Sequence, residues 1–298
     1  MLTILSFGGG QDSTAILYRI ALDETFRKQY VRGRLLVIMS DTGDEHDATY
    51  QHVHFIEAFC QQHGIEFYFL RPEQGYHPRS WPGLIPWMKA KSGIMSKAYP
   101  KTCTDNLKIK PIYNFLDHFI GKEIYGVDLP VNESRKNFIK LYVRQHGRIR
   151  VILGIAKGEE KRLSQDFTTR WMRKCLVRVY PLVEEGLDRS GCQTWIRTSG
   201  LPLPPPSNCK RCPFLSEVEL VWLYRFYPAD YYEWVDMEHA KVEKWRLKGI
   251  PIDKNLGVHG RTMLPDALAN ALHKFGHLTD EDLQEYRMSH GHCVQSKF

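Results

Sequence analysis

The stretch that decides the fold is LTILSFGGGQDS, residues 2–13. Residues 2–6 are an apolar run that suits a buried strand, and the residues after position 13 favour a helix. The three glycines between them let the backbone take positive φ and let an anion approach the main chain. Asp12 and Ser13 are residue types that begin helices. The stretch therefore predicts a strand, a glycine loop and a helix whose positive end and free N–H groups favour phosphate.

The motif SFGGGQDS, residues 6–13, resembles the SGGxDS phosphate loop of the ATP-pyrophosphatase (PP-loop) superfamily. Its form is similar to that of the phosphoadenosine-phosphosulfate (PAPS) reductase-like family, although Gly8 stands where the wider superfamily has serine. No lysine follows the glycines, so the motif is not a GxxxxGKS/T loop. The alternative interpretation is a glycine turn in an ordinary α/β domain. The resemblance implies that ATP and Mg²⁺ bind here, with these residues at the nucleotide: Ser6, Phe7, Gly8, Gly9, Gly10, Gln11, Asp12 and Ser13.

The length and composition are those of an ordinary globular protein. The 298 residues suggest one large or two modest domains, and 43% are hydrophobic and 25% charged. No apolar run approaches the ~18 residues of a membrane span, and the N-terminus lacks a signal-peptide pattern. We therefore expect a cytoplasmic protein without a membrane partner. Seven cysteines, an odd number, favour metal or redox chemistry over a disulfide framework.

Five apolar runs predict a Rossmann-like α/β fold with a parallel five-stranded sheet. The predicted strands are residues 2–6, 34–40, 65–70, 150–155 and 177–182, and a helix is expected over 46–63. We expect this nucleotide-binding domain to span residues 1–185, with a long loop or lid at 71–102 and an insertion at 121–148. Residues 186–298 are expected to form a helical module with a cysteine-rich metal site.

Two further segments match patterns of the PAPS-reductase-like family. Residues 41–45, DTGDE, resemble a DTGxE segment at the carboxyl end of the second strand, which implies that Asp41 and Thr42 contact the nucleotide. Capping of a turn is the alternative role for Asp41. Residues 153–162, LGIAKGEEKR, resemble the LGIxxxExxR turn of the family. This match implies that Gly154 and Ile155 lie beside the adenine or ribose and that Glu160, or its neighbour Glu159, closes the site with Arg162.

The segment after the expected lid, CTDNLKIKPI at residues 103–112, resembles the CTxxLKIxPI pattern of the same family. The comparison implies that Lys108 lies near the phosphates, whereas an exposed helix lysine is the alternative. On the resemblance, the catalytic residues are Asp12, Ser13, Lys108 and Arg162.

Cys209 and Cys212 form a CxxC pair, which holds two thiolates on one side of a loop as a tetrahedral metal or an iron–sulfur cluster requires. Cys192, separated from Cys209 by sixteen intervening residues, and Cys103, just after the expected lid, are candidates for the remaining ligands. The stretch over residues 189–214 resembles PAPS-reductase-like proteins related to the DNA-phosphorothioation sulfurtransferases, in which four cysteines of this pattern hold a cluster. We therefore expect a 4Fe-4S cluster on these four cysteines, with Zn²⁺ as the alternative.

Residues 135–178 carry thirteen Lys or Arg against three acidic residues, with Tyr142 and Trp171 interleaved. A charged run is usually a solvated face, but basic residues with aromatic rings fit a polyanion equally well. We therefore expect DNA or RNA as a partner of this basic region.

The resemblance implies an ATP-dependent adenylating sulfurtransferase that acts on a nucleic acid or nucleotide acceptor and releases AMP and pyrophosphate. A sulfur-donor protein is a further expected partner. One alternative is a sulfonucleotide reductase of the PAPS type, although the tail offers residues 291–293, GHC, in place of the ECGLH of true PAPS reductases. The other is a non-catalytic nucleotide-binding protein with a structural zinc.

Overall fold

The computed structural model describes residues 1–131, 136–163 and 169–290. Five strands form one parallel sheet in the order β3-β2-β1-β4-β5. The strands are β1 Leu2–Ser6, β2 Arg34–Ser40, β3 Glu66–Leu70, β4 Ile149–Leu153 and β5 Leu176–Val179. The chain runs outward from β1 to β3 and then returns to the other side of β1 at β4, which makes β1 and β4 the switch point of the sheet. The predicted Rossmann-like α/β class is confirmed.

Two of the predicted strands end early. The strand expected over 150–155 ends at Leu153, and the one expected over 177–182 ends at Val179. The second difference has a local cause, because Pro181 begins a helix in which its fixed φ is suited to the first turn. Gly154 and Ile155 consequently lie in the loop beyond β4, at the carboxyl edge of the sheet.

The part of the chain that the structure describes contains thirteen α-helices. They are α1 Gln11–Leu22, α2 Glu24–Tyr30, α3 Asp47–Gln62, α4 Leu84–Lys91, α5 Lys110–Tyr125, α6 Asn137–His146, α7 Arg170–Cys175, α8 Pro181–Glu184, α9 Arg189–Thr198, α10 Glu217–Phe226, α11 Pro228–Leu247, α12 Leu264–Phe275 and α13 Asp280–His290. None of the described helices combines the length and the apolar character needed to cross a bilayer.

Helices cover both faces of the sheet. Successive strand residues point to opposite faces, so Leu5 and Val37 enter one core while Ile4 and Leu36 enter the other. The first core is closed by α1, α2, α3 and α9, and the second by α5, α6 and α7. The segment 121–148, which was expected to be an insertion, therefore contributes to the second core, since α6 supplies Ile139 to it.

A third core lies beyond the sheet, among α10 to α13. The segment expected to be a loop or lid contains α4, whose Leu84 and Met88 are buried in this third core. This segment is thus packed against the C-terminal helices. Helix α9 begins after the expected boundary at residue 185, yet it packs on α1 through the first core.

Candidate nucleotide and thiol sites

The glycine loop lies at the carboxyl end of β1, beside the switch point of the sheet. Gly9 has a φ of +72°, which only glycine adopts readily, and α1 begins two residues later. The Gly8 N–H donates to Ser13 Oγ at 3.2 Å, and Ser13 Oγ–H donates to the Gly10 carbonyl at 3.1 Å. The N-cap residue of α1 is Gly10, which has no side chain with which to cap the helix. Its first N–H groups can therefore bind an anion.

A cleft, here called the nucleotide cleft, opens over this helix end. It brings together most of the residues predicted to bind or act on the nucleotide: Ser6, Phe7, Gly8, Gly10, Gln11, Asp12, Ser13, Lys108, Gly154, Ile155 and Arg162. The lining also includes residues to which the sequence assigned no role, among them Arg189 and Ser207. Gly154 lies against the start of α1, where an added Cβ would be 2.8 Å from Ser13 N. Because Gly154 has no side chain, the loop after β4 can come this close to the start of α1.

The nucleotide cleft is small. Its volume is about 90 Å³, below the ~300–1,000 Å³ of typical ligand sites. Ser207 lies over the loop, so that a Cβ added to Gly10 would be 2.6 Å from Ser207 Oγ. Ser207 therefore narrows the nucleotide cleft above Gly10.

Gln11 and Asp41 have structural partners. The Gln11 amide donates to the carbonyl of Pro204 and to that of Met288, both at 3.2 Å, and so connects α1 to α13 and to the proline-rich segment 201–207. Asp41 lies outside the nucleotide cleft, and its Oδ1 accepts from Gly43 N at 2.8 Å and from Tyr50 Oη at 2.9 Å. The turn after β2 uses this carboxylate to fix its own backbone.

Thr42 and Gly9 also lie outside the lining of the nucleotide cleft. Thr42 turns toward the CxxC loop, where its Oγ1 donates to Glu45 Oε1 at 2.9 Å and accepts from Cys209 Sγ at 3.4 Å. The side of Gly9 on which a Cβ would stand lies against the side chains of Met39 and Thr49.

Asp12 carries the central charge of the nucleotide cleft. Its Oδ2 accepts from Arg189 Nη2 at 2.9 Å, while its Oδ1 is buried and has no hydrogen-bond partner among the residues that the structure describes. Burial raises the pKa of Asp12, and the Arg189 guanidinium opposes that shift. Arg189 also donates to Glu159 Oε1 at 2.7 Å, and Glu159 pairs with Arg162. The sequence left open whether Glu159 or Glu160 lies beside Arg162. In the structure it is Glu159 that contacts both Arg162 and Arg189.

Glu160 is directed elsewhere, since it is exposed and accepts from Gly158 N at 2.9 Å. Arg189 follows Asp188, a residue type that caps helices, and it is the first residue of α9. The sequence does not show that this helix start meets the start of α1.

Lys108 lies in a π-helical turn, Asp105–Ile109, that leads into α5. Pro111 has no N–H to donate to the Leu107 carbonyl, and that carbonyl accepts instead from Ser40 Oγ at 2.6 Å. The irregular turn is therefore anchored to the end of β2. The Lys108 side chain lines the nucleotide cleft, and its Nζ is 3.6 Å from Glu45 Oε1.

Three of the four predicted metal ligands line one cavity, here called the thiol cavity. Cys103, Cys209 and Cys212 share it with Lys108 and a largely apolar wall. Burial raises the pKa of the Cys209 thiol well above its usual value; Glu45 adds to the rise and Lys108 opposes it. The CxxC loop is held by the turn after β2, where the Lys210 N–H donates to the Asp44 carbonyl at 2.8 Å.

Cys192 lies away from the thiol cavity. It is fully buried in the first core, on the face of α9 that packs against α1, whereas the other three cysteines belong to the third core. Among the described residues, no group of three or more His, Cys, Asp or Glu side chains is arranged to hold a metal ion. The structure therefore does not bring the four predicted metal ligands together, since Cys192 lies outside the thiol cavity that holds the other three.

The described basic residues of this region do not all lie on one exposed surface. Arg162 lies in the nucleotide cleft, and Arg150 Nη1 donates to the Tyr30 carbonyl at 3.4 Å. Tyr142 is buried, whereas Trp171 is partly exposed. Part of the predicted region, residues 135 and 164–168, lies outside the described residues, as does Cys293.

No protein-family model and no curated protein matches this chain. Among solved structures, the chain is similar to phosphoadenylyl-sulfate (PAPS) reductase from Candida auris, with 13% identity, a TM-score of 0.38, and coverage of 68% of this chain and 74% of that one. It is also similar to the U34-tRNA thiolase NcsA from Methanococcus maripaludis with its [4Fe-4S] cluster, with 13% identity, a TM-score of 0.40, and coverage of 94% and 74%.

Proposed function

We propose that this chain is an ATP-dependent adenylating sulfurtransferase whose acceptor is a nucleic acid or nucleotide. The observation that carries the proposal is the position of Lys108, which lines both the nucleotide cleft and the thiol cavity. One cation thus lies between the place for a triphosphate and a group of three thiols. An enzyme that activates an acceptor with ATP and then delivers sulfur needs these two sites side by side.

In the first step, an acceptor oxygen attacks the α-phosphorus of ATP. The new P–O bond forms as the bond from the α-phosphorus to the bridging oxygen breaks, and pyrophosphate leaves. The N–H groups at the start of α1, together with Ser13, Lys108 and Arg162, stabilise the charge that develops on the phosphates. Such transfers depend mainly on positioning and electrostatics.

Mg²⁺ fits this arrangement. Asp12 Oδ1 is a buried carboxylate oxygen without a partner among the described residues, and carboxylates together with substrate phosphates are the usual ligands of Mg²⁺. Asp12 would hold the ion against the triphosphate, where the ion supplies neutralisation of phosphate charge.

In the second step, sulfur at the oxidation level of sulfide attacks the acceptor carbon that carries the adenylate. The C–S bond forms, the C–O bond breaks and AMP leaves, so the step needs no oxidant or reductant. We propose that a donor protein supplies this sulfur at the thiol cavity. The 4Fe-4S cluster or Zn²⁺ was predicted on Cys103, Cys192, Cys209 and Cys212, of which only three share the thiol cavity, and neither step passes through such a group.

A second candidate function is nucleotide binding without turnover, with a structural zinc at the thiol cavity. The observation that favours it is the small volume of the nucleotide cleft, which Ser207 covers. A sulfonucleotide reductase is the remaining alternative, and formation of sulfite from adenosine phosphosulfate distinguishes it.

The test is anaerobic incubation with α-labelled ATP and candidate DNA, RNA or nucleotide acceptors. We expect AMP and pyrophosphate in equal amounts, dependent on the acceptor, and no ADP. An Asp12→Asn variant is expected to lose this activity. Binding of ATP without AMP or pyrophosphate from any acceptor would instead establish the second candidate.

A further inference from the structure

The CxxC loop is bonded through its backbone to the turn after β2. Cys209 and Glu45 form an isolated antiparallel bridge. The Lys210 N–H donates to the Asp44 carbonyl at 2.8 Å, and the Arg211 N–H donates to Asp44 Oδ2 at 2.8 Å. Three consecutive residues of the loop thus pair with two consecutive residues of the turn.

The Arg211 side chain is buried, and carboxylates from two parts of the fold contact its guanidinium. Nη1 donates to Asp44 Oδ1, in the turn after β2. Nη2 donates to Asp230 Oδ1 at 2.6 Å and to Glu233 Oε2, both on α11. Asp44 is buried as well, and the loss of one partner from a buried, hydrogen-bonded ion pair costs much more than the loss of an exposed one. Arg211 therefore joins the CxxC loop both to the edge of the sheet and to the C-terminal helices.

The same turn continues directly from the nucleotide cleft. Met39 and Ser40, at the end of β2, line that cleft, and Asp44 follows four residues after Ser40. Strand β2 lies inside the sheet, between β1 and β3. A group that is hydrogen-bonded to the end of an inner strand has a set position relative to the sheet. The thiols of Cys209 and Cys212 are therefore held at a set distance from the nucleotide cleft.

We propose that Asp44 and Arg211 are positioning residues, which hold the thiols of Cys209 and Cys212 in place for the sulfur-transfer step. Asp44 is not among the described lining residues of either cavity, so its effect passes through the CxxC loop. It stands at the variable position of the DTGxE segment, to which the family resemblance assigns no role. The inference rests on the proposed function for its catalytic meaning, whereas the positioning of the thiols is measurable without turnover.

The test is the rate at which iodoacetamide alkylates each cysteine of the full chain purified without oxygen, measured by peptide mass spectrometry. Enclosed thiols react when the structure around them opens, so the rate reports local opening. In Asp44→Ala, Arg211 loses a buried carboxylate and the acceptor of its N–H. We expect Cys209 and Cys212 to react at least about tenfold faster than in the wild type, the size expected for the loss of a hydrogen bond to a charged group. Cys60, buried in the first core, is the internal control and is expected to keep its wild-type rate.

Two further variants sharpen the result. Asp47→Ala is the matched control, because Asp47 is an exposed acid three residues further along that contacts only the side chain of the loop residue Lys210, at 3.3 Å. Exposed ion pairs contribute little, so the rates at the CxxC thiols are expected to stay within about twofold of the wild type. Asp44→Asn keeps an acceptor oxygen for the Arg211 N–H, and its rates are expected to lie between those of the wild type and Asp44→Ala.

The inference is overturned if Asp44→Ala leaves the rates at Cys209 and Cys212 unchanged, or if Asp47→Ala raises them as much. Circular dichroism checks that Asp44→Ala is folded, and Asp44→Asn serves as the test if it is not. Acceleration of Cys60 to the same extent in Asp44→Asn would also overturn the inference, because the substitution would then loosen the whole fold.

A single-turnover assay with labelled ATP, using an acceptor that supports AMP release, separates this inference from the proposed function. Asp44→Ala is expected to keep pyrophosphate formation within about twofold of the wild type and to lower sulfur incorporation about 10–10²-fold, since misplacement of a reacting group slows the step that uses it. If no acceptor gives AMP or pyrophosphate, the proposed function fails, while faster alkylation would still show that Asp44 holds the thiols. Wild-type sulfur incorporation by an Asp44→Ala protein with accelerated alkylation would overturn the positioning role.

Discussion

Arg189 Nη2 lies 2.9 Å from Asp12 Oδ2, so the first residue of α9 neutralises the carboxylate in the first turn of α1. The same nitrogen is 2.7 Å from Glu159 Oε1. One guanidinium therefore holds two carboxylates in the wall of the nucleotide cleft. Because Asp12 is buried, its charge depends on this partner.

Replacement of Arg189 by methionine is the first prediction. The variant leaves the buried Asp12 carboxylate without its ion-pair partner, and we expect the free energy of unfolding to fall by about 3 kcal/mol. Urea unfolding measures this loss. In the double variant Arg189→Met/Asp12→Asn, no buried charge is left unpaired, so most of the stability returns while AMP formation stays absent. A single variant as stable as the wild type would contradict this account of Asp12.

Alanine at Gly154 is expected to disturb the start of α1. Its Cβ would be 2.8 Å from Ser13 N and 3.0 Å from Ser13 Cα, and backbone atoms cannot give way as a flexible side chain can. We expect a loss of about 1–3 kcal/mol in stability and a weaker affinity for ATP, measured by thermal unfolding and calorimetric titration.

Gly8→Ala is the matched control for this variant. The nearest atoms to its Cβ would be 3.8 and 3.9 Å away, which is ordinary contact, so its unfolding midpoint is expected to stay at the wild-type value. Equal destabilisation by the two substitutions would show that the loop resists any side chain, and that the approach of Gly154 to Ser13 has no special effect.

The parts of the molecule that local sequence determines were predictable. The strand, glycine loop and helix over residues 2–13 follow from apolar pattern and backbone freedom, and they lie as expected. The meeting of Arg189 with Asp12 was not predictable, because it depends on how α9 packs on α1 across 177 residues of sequence. The sequence analysis grouped Cys192 with the metal ligands for the same reason, because the packing of α9 on α1 cannot be deduced from local sequence. Cysteine spacing indicates metal ligands, but the apolar face of α9 directs this thiol into the first core.

Lys108 is predicted to act in catalysis. Removal of a cation from a preorganised anion site typically lowers turnover about 10²–10³-fold, and we expect a loss of that size for AMP release by Lys108→Gln. Lys122→Gln removes an exposed lysine of α5, which follows directly on the turn that carries Lys108, and serves as the matched control. Radiolabelled AMP measures both. Wild-type turnover in Lys108→Gln would remove this residue from the site.

Metal content tests which thiols act together. If the protein purified without oxygen carries iron and acid-labile sulfide, or zinc, we expect Cys103→Ser, Cys209→Ser and Cys212→Ser to lose it, because these thiols share one cavity. Cys192→Ala is the control, and it is expected to keep the metal because Cys192 lies in the other core. Loss of metal in Cys192→Ala, with its fold intact by circular dichroism, would contradict the separation seen in the structure.

His52 of α3 lies behind the glycine loop and makes folding sensitive to acid. Its side chain is buried, its Nε2 is 3.1 Å from Thr14 Oγ1, and burial lowers its pKa from the ordinary value near 6.5 to about 4. Between these two pH values the unfolded chain binds a proton at His52 that the folded chain does not. The contribution of His52 to stability is therefore complete above pH 6.5 and is lost as the pH falls toward 4.

At about pH 5 this loss amounts to about 2 kcal/mol, since one pKa unit corresponds to about 1.4 kcal/mol. We expect His52→Gln, which keeps a polar partner for Thr14, to show a fall in unfolding free energy between about pH 7.5 and pH 5 that is smaller than the wild-type fall by about this amount. Urea unfolding at the two pH values measures it. His54→Gln alters an exposed histidine of the same helix and should retain the wild-type pH dependence. Identical pH dependence in His52→Gln and the wild type would show that His52 is not the residue that titrates, because a buried neutral imidazole cannot be removed without removing its proton linkage.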